Sequence, residues 1–329
     1  MRGAEPLTRM GRGLLAALAF GATGAAVADE SAGLWLERMS DALHELRYEG
    51  VFVYQHGDRL RAMRILHDTG STGERERLVA LDGVQREVIR NDDQVTCILP
   101  DRTSFVLERR APGRTFPPVL PNRDAQLERH YAFDLGEQGR VAGRSTQEVR
   151  LQPRDDFRYG YRFRIDDATG MLLQSELVDS DGEVVERLMF TSIEFREAID
   201  PTALEPGIEG EEFMWYQHGR EDSPSFPGEP RWEATSLPPG FEREDYRRHR
   251  AGEAGTPVEQ LVFSDGLASV SVFMEPAGAV STPLRGHSSR GAVNAYGRGV
   301  GDTRITVVGE VPRAAVERIA KGMQRREEP

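Results

Sequence analysis

The chain has 329 residues, of which 38% are hydrophobic and 29% charged, and its formal net charge is −12 at neutral pH. An acidic balance of this size disfavours nucleic acid or an anionic bilayer as a bulk electrostatic partner, and the length provides for two domains with cores of their own. A single cysteine, Cys97, excludes an internal disulfide.

The N-terminus reads as an export signal. Arg2, Arg9 and Arg12 make a basic n-region, Leu14 to Gly24 form a short apolar stretch, and Ala26-Val27-Ala28 supplies small residues before a cut at Asp29. The apolar run falls short of the ~18 residues that span hydrocarbon, and no cysteine follows the cut to carry a lipid. Residues 1–28 are therefore expected to be a signal peptide and the mature protein to be periplasmic. The leader contributes a net +2 (Arg2, Arg9, Arg12 and Glu5), so the mature chain stands at −14. Lys321 is the only lysine, which leaves the positive charge almost wholly on guanidinium groups. Those suit carboxylate or phosphate recognition, although a GC-rich genome accounts for the same bias more simply.

The mature chain opens with a helix. Trp35, Met39, Ala42, Leu43 and Leu46 fall on one face, with Glu37, Arg38, Asp41 and Glu45 around the rest. After Gly50 the period changes to two. Strand-like runs follow at Val51–His56, Leu60–His67, Glu74–Leu81, Arg86–Arg90, Gln94–Leu99 and Ser104–Glu108, separated by turns such as His56-Gly57-Asp58. Cys97, inside one of these runs, is read as a buried small hydrophobe. A Pro-rich loop from Pro112 to Pro121 leads to a short helix, Arg123–His130, and then to a second set of strands. The clearest is residues 159–165, with Tyr159, Tyr161, Phe163 and Ile165 on one face and arginines on the other, the mark of one buried and one wet face. Hairpin turns at 166–170 and Asp181-Gly182 join it to Met171–Val178 and Glu183–Phe195.

From Glu205 to Arg231 the pattern dissolves into Gly, Pro and acids and reads as an interdomain linker, in which Trp215 and Tyr216 are unusual. Beyond Trp232 a small α+β unit is expected, with strands at Val258–Phe263, Ala268–Met274, Gly291–Tyr296 and Arg304–Val308. Its last helix starts at Pro312 and buries Ala315, Val316, Ile319 and Met323.

Chemistry is harder to find. His44, His56, His67, His130, His218, His249 and His287 form no metal-binding spacing and read as scattered surface residues, so neither metal nor cofactor is expected. The 286–291 stretch lacks the spacing of a serine nucleophile elbow, and Gly297-Arg298-Gly299-Val300-Gly301 precedes a strand rather than a helix; both read as flexible hairpin connections. Asp155-Asp156 and Asp166-Asp167 read as turn formers rather than catalytic pairs. No nucleophile and base assemble, so no enzyme is expected.

Several segments together resemble the MucB/RseB family, periplasmic negative regulators of the envelope-stress sigma factor. They are residues 48–54, 74–83 and 159–162 in the first half, and 237–241, 262–273, 290–296 and 306–312 in the second, in order along essentially the whole mature chain. The resemblance implies an α+β protein. Its large domain (29–206) would be a half-open antiparallel β-barrel with helices, shaped like the periplasmic lipoprotein carriers. A linker (207–231) and a small α+β C-terminal domain (232–329) would follow. It further implies that the small domain holds the periplasmic segment of a membrane-bound anti-sigma factor, shielding it from regulated proteolysis, and that lipid or lipopolysaccharide fragments loosen the grip.

On that footing the partner is expected on Val262, Phe263, Ser271, Phe273, Arg290, Asn294 and Tyr296. Arg290 would be a carboxylate clamp, or else merely the cap of a hairpin. An acyl chain is expected between Trp35, Met39 and Leu43 of the helix and Tyr159, Tyr161, Phe163 and Ile165 of the sheet, if that interior is not filled; ordinary burial is the default for each of these residues. The competing reading is a lipid or lipoprotein carrier, which would not need the C-terminal domain. Homo-oligomerisation is left open.

Overall fold

The structure, a computed structural model, describes residues 23–70, 73–92, 94–98, 103–108, 125–207, 214–217, 229–251, 255–278 and 284–326. The many short alternating runs become two antiparallel-dominated sheets. The large one uses, in chain order, α1 (Thr23–Glu45), β1 (Tyr48–His56), β2 (Arg59–Gly70), β3 (Gly73–Ala80), β4 (Glu87–Asn91), β5 (Gln94–Ile98), β6 (Thr103–Glu108), α2 (Ala125–His130), β7 (Tyr131–Val141), β8 (Arg144–Pro153), β9 (Gly160–Asp166), β10 (Leu172–Val178), β11 (Val184–Phe195) and β12 (Met214–Gln217). The strands lie in the order β12-β6-β5-β4-β3-β2-β1-β11-β10-β9-β8-β7, and among the described residues the two end strands are not paired, so the sheet stays open.

α1 packs on β7, β8 and β10. Its buried face is Ala32, Leu36, Met39, Ala42 and Leu43, while Trp35 and Leu46 are half-buried at the flank. Met39, Ala42 and Leu43 are buried as expected, and the stripe is turned enough to take in Leu36. Trp35 instead receives the Arg38 guanidinium 4.5 Å from its ring. The hairpin β7–β8 lacked any individual signal because a register shift between Leu135 and Gln138 breaks its alternation. β12 comes from the stretch expected to be linker, and Trp215 and Tyr216 belong to it; it pairs in parallel with β6. Cys97 is half-buried, and burial raises the pKa of its thiol.

The second sheet uses β13 (Trp232–Ala234), β14 (Glu242–Ala251), β15 (Thr256–Ser264), β16 (Ser269–Pro276), β17 (Gly286–Arg290), β18 (Val293–Val300), β19 (Thr303–Gly309), α3 (Arg313–Gly322) and β20 (Met323–Arg325), with six strands in the order β14-β15-β16-β19-β18-β17 and β13 paired with β20 apart from them. α3 covers one face: Ala315, Val316 and Ile319 bury themselves with Val270, Val272, Ile305 and Val307, as the apolar spacing requires. Two glycine-rich segments expected to be connections are strands. Residues 286–290 form β17, and Gly297 and Gly299 lie within β18. β14 hid behind its charges, which suit the edge of a sheet.

Between the sheets lies a fully buried ion pair. Arg158, which just precedes β9, donates from Nε to Asp265 Oδ2 at 2.6 Å, and both side chains are 0% exposed. The same guanidinium donates to Asp155 and to the carbonyl of Pro239, with Phe241 5.3 Å and Tyr131 5.9 Å from its carbon. Asp265 also accepts the N–H groups of Leu267 and Ala268 at 3.0 and 2.7 Å, so it closes the β15–β16 turn while it anchors Arg158. Packing is reciprocal across this point: Phe157 rests on the small-domain core and Leu267 on the large-domain core.

A second polar cluster lies where β1, β2, β3 and β4 meet. His67, expected at the surface, is 1% exposed. It stacks on Tyr48 at 5.0 Å and spans the Leu46 carbonyl at 2.8 Å and Glu74 at 2.9 Å. Arg90 pairs with both Glu74 and Glu76. Burial pushes the Glu74 carboxyl up, but the His67 hydrogen bond and the Arg90 charge outweigh it and hold the pKa at about 2.

Removing Arg158 while leaving Asp265 buried costs about 3 kcal/mol by the usual penalty for an orphaned buried charge. Urea unfolding of Arg158→Leu is expected to show that loss, and adding Asp265→Asn to recover part of it. Wild-type stability in the single variant would show that the pair holds nothing. For Glu74, a folded-state pKa below the ordinary 4.5 means a contribution fully present above that value and lost as pH falls toward about 2. Melts at about pH 5 and about pH 3 should therefore show a smaller acid-induced drop for Glu74→Gln than for wild type; equal drops would remove Glu74 from the acid response.

Candidate functional site

The inner face of β1 runs from the core toward the second domain. Tyr48 and Phe52 are buried; two residues further on, Tyr54 and His56 on the same face leave the core and meet Glu186 of β11. The Tyr54 hydroxyl donates to Glu186 Oε2 at 2.7 Å, and His56 Nδ1 lies 2.5 Å from Oε1. Burial, then the Glu186 hydrogen bond, raises the Tyr54 phenol well above its ordinary range, so it remains a donor. From the small domain, the Ala292 N–H reaches the same Oε1 at 3.4 Å. Gly291 lies against the His56 imidazole at φ 57°; a Cβ there would strike the ring, so both space and backbone demand glycine.

A parallel contact lies alongside. Asn294 donates from Nδ2 to the Tyr159 hydroxyl at 3.0 Å and to the Val311 carbonyl at 2.9 Å, above a small apolar cluster of Tyr159, Leu177 and Ala292.

Beside these contacts opens a cleft of about 420 Å³ lined by Tyr54, His56, Arg59, Arg61, Arg86 and Arg290. The register of the β1–β2 hairpin creates most of it. His56 faces Arg59 and Tyr54 faces Arg61, and directly opposed residues project on one face. Arg86 arrives from the loop before β4, held by the hydrogen bond from the Ala80 N–H to its carbonyl at 3.0 Å. Arg290 ends β17 and supplies the small-domain wall. All four arginines are exposed. Arg61 pairs with Asp82 at 3.1 Å; among the described residues no carboxylate pairs with the other three side chains. The arrangement is suited to holding anions. Among the described residues no cluster of potential metal ligands occurs.

The residues expected to bind the partner separate into four places. Val262, Ser271 and Phe273 are half-buried on the sheet face away from α3, where Gln260 donates to Ser271 at 3.3 Å. Phe263 is buried in the small-domain core, and Tyr296 packs against it. Asn294 is 8% exposed and committed to the domain boundary. Arg290 alone enters the cleft; among the described residues it neither caps a hairpin by a side-chain bond nor pairs with a local acid.

The residues expected around an acyl chain likewise divide. Met39, Leu43, Phe163 and Ile165 are close-packed in the large core, Trp35 and Tyr161 lean on it, and Tyr159 has passed beyond it to the small domain. The strand does keep one face, but that face extends past the cover of the helix. Arg158, Asp265, Glu186, Arg59, Arg61 and Arg86 were not singled out from the sequence. For Arg59 and Arg61 a signal existed: a two-residue Gly57-Asp58 turn fixes the register that sets them opposite His56 and Tyr54.

Known proteins share this architecture. Residues 31–208 match the MucB/RseB N-terminal domain, and residues 227–324 the MucB/RseB C-terminal domain. The sigma factor AlgU regulatory protein MucB of Pseudomonas aeruginosa is 33% identical over 293 residues, covering 87% of this chain and 88% of that one. A solved complex of Pseudomonas aeruginosa MucA and MucB superposes with a TM-score of 0.72 at 30% identity, over 91% of this chain and 100% of that one. A crystal structure of MucB with MucA(peri) gives 0.70 at 28% identity, over 90% and 100%. Both family domains are present, in order, and this chain belongs to the MucB/RseB family.

Proposed function

We propose that this protein is a periplasmic regulator that binds the periplasmic segment of a membrane-bound anti-sigma factor, shields that segment from regulated proteolysis and so restrains an envelope-stress sigma factor. The observation that carries this reading is the likeness, over nine-tenths of the chain, to a MucB solved together with MucA. Two further features support it. The N-terminal leader pattern directs export, and among the described residues no helix is long and apolar enough to cross a membrane. The domain boundary, which holds a buried ion pair and carries an open cationic cleft, provides a fixed surface on which an extended chain can be held.

The reading is tested with the mature protein, residues 29–329, and a synthetic periplasmic segment of the anti-sigma factor from the same genome. Calorimetry is expected to show saturable binding at one site, and a broad-specificity protease should cut the segment more slowly when the protein is present. A segment that neither binds nor gains protection would overturn the assignment. Protein recovered from the periplasm should begin at Asp29.

A further inference from the structure

We infer that the arginine cleft between the two domains is the seat of an acidic stretch of the protein partner, its carboxylates clamped by guanidiniums drawn from both domains. This rests on the functional reading above and names the chemistry by which the partner is recognised.

The first ground is charge. The chain as a whole carries −12, yet Arg59, Arg61, Arg86 and Arg290 converge on one cleft of about 420 Å³. Several arginines elsewhere in the large sheet are matched: Arg77 to Glu87, Arg144 to Asp166, Arg164 to Glu148, Arg187 to Glu176. Of the four cleft arginines only Arg61 has a described ion pair, with Asp82, both partners well exposed, while Glu186 meets His56 beside them. Four guanidiniums outnumber the two carboxylates at the cleft, Asp82 and Glu186, and the remaining repulsion is relieved when a ligand brings further anions. Guanidinium groups take carboxylates by paired, planar hydrogen bonds.

The second ground is the rest of the lining. Besides the arginines it holds a histidine and a tyrosine, both engaged with Glu186, and no aliphatic side chain. A polar peptide needs no aliphatic wall, and its carboxylates meet guanidinium groups there. The third is the neighbouring backbone. β17 is the last strand of its sheet, pairing among the described residues with β18 alone, and its Ser288, Ser289 and Arg290 are exposed. An extended peptide can align on such an edge while its acidic side chains enter the cleft.

The experiment compares wild type with Arg59→Gln/Arg86→Gln and with Arg290→Gln, by fluorescence anisotropy of the labelled anti-sigma segment. A second segment carries every Asp and Glu as the amide. All three substituted side chains are exposed, so melting temperatures should match wild type. The double variant is expected to weaken binding about tenfold or more, Arg290→Gln to weaken it less, and both to flatten the loss of affinity with added salt. The amide segment should bind all three proteins equally weakly.

Wild-type affinity in the double variant, with a normal melt, overturns the cleft while leaving the functional reading intact. Absence of binding by wild type itself overturns that reading, and this inference with it. Phosphatidylglycerol vesicles form the third arm. Should the double variant keep its peptide affinity and lose vesicle binding, the cleft is a headgroup site and the peptide assignment is wrong.

Discussion

A guanidinium with no access to water must be neutralised and fully hydrogen-bonded, and Arg158 can satisfy that demand only when the two sheets are docked. Its acceptors come from its own loop, Asp155, and from the small domain, Asp265 and the Pro239 carbonyl. Pull the domains apart and the large one keeps a cation with one of its three acceptors, while the small one keeps a carboxylate with only two backbone N–H groups. An apolar contact of equal area would tolerate sliding. A buried charge with fixed acceptors does not, because each displacement breaks a directional bond in a low-dielectric setting. The exchange of Phe157 and Leu267 between the two cores adds apolar area to the same joint.

The cleft inherits its shape from that constraint. Three of its arginines belong to the large domain and the fourth to the small one, so their spacing is set by how the domains meet rather than by either sheet alone. Glu186 supplies the local adjustment. It takes hydrogen bonds from Tyr54 and the Ala292 backbone and the close approach of His56, which draws the end of β1 toward the β17–β18 turn. Glu186 makes no described ion pair with the arginines beside it, its oxygens being turned to those groups. Their charge is therefore presented outward, on side chains whose backbone positions do not have to reorganise to meet a ligand, and preorganisation of that kind lowers the cost of binding.

Much of this frame was legible in the sequence, for reasons that differ by element. Strict alternation exposed β9, and helical spacing exposed α1 and α3, because burial on one face leaves a periodic trace. β7 and β8 left none, since the shift between Leu135 and Gln138 interrupts the period. β14 was not singled out and β17 read as a loop, as edge strands do when nothing apolar covers them. The site was harder to see for a different reason. A strand pattern tells which face is buried but not where along the strand the core ends, so Tyr159 and Tyr161 looked alike although Tyr159 bonds to Asn294 across the boundary. Arg158 was one arginine among many, and nothing local marks a residue whose partner, Asp265, lies 107 positions away.

The packed core dictates what a lipid would have to do to influence the joint. Met39 and Ile165 are 0% exposed and Phe163 is 1% exposed, so an acyl chain entering there must displace close-packed side chains rather than fill vacant space. Burial of its methylenes, at about 0.8 kcal/mol each, has to outweigh the native packing that it disrupts. The side chain that would register such a displacement is Tyr161. Its ring stacks on Phe163 at 5.7 Å, and it packs both on the large core and on the cluster of Tyr159, Leu177 and Ala292 at the boundary. An occupant of the core can change the affinity of the cleft only if it favours one docking of the domains over another. Through Tyr161 the physical route for that preference is short: one aromatic side chain separates the interior of the large sheet from the hydrogen bonds that hold the small one.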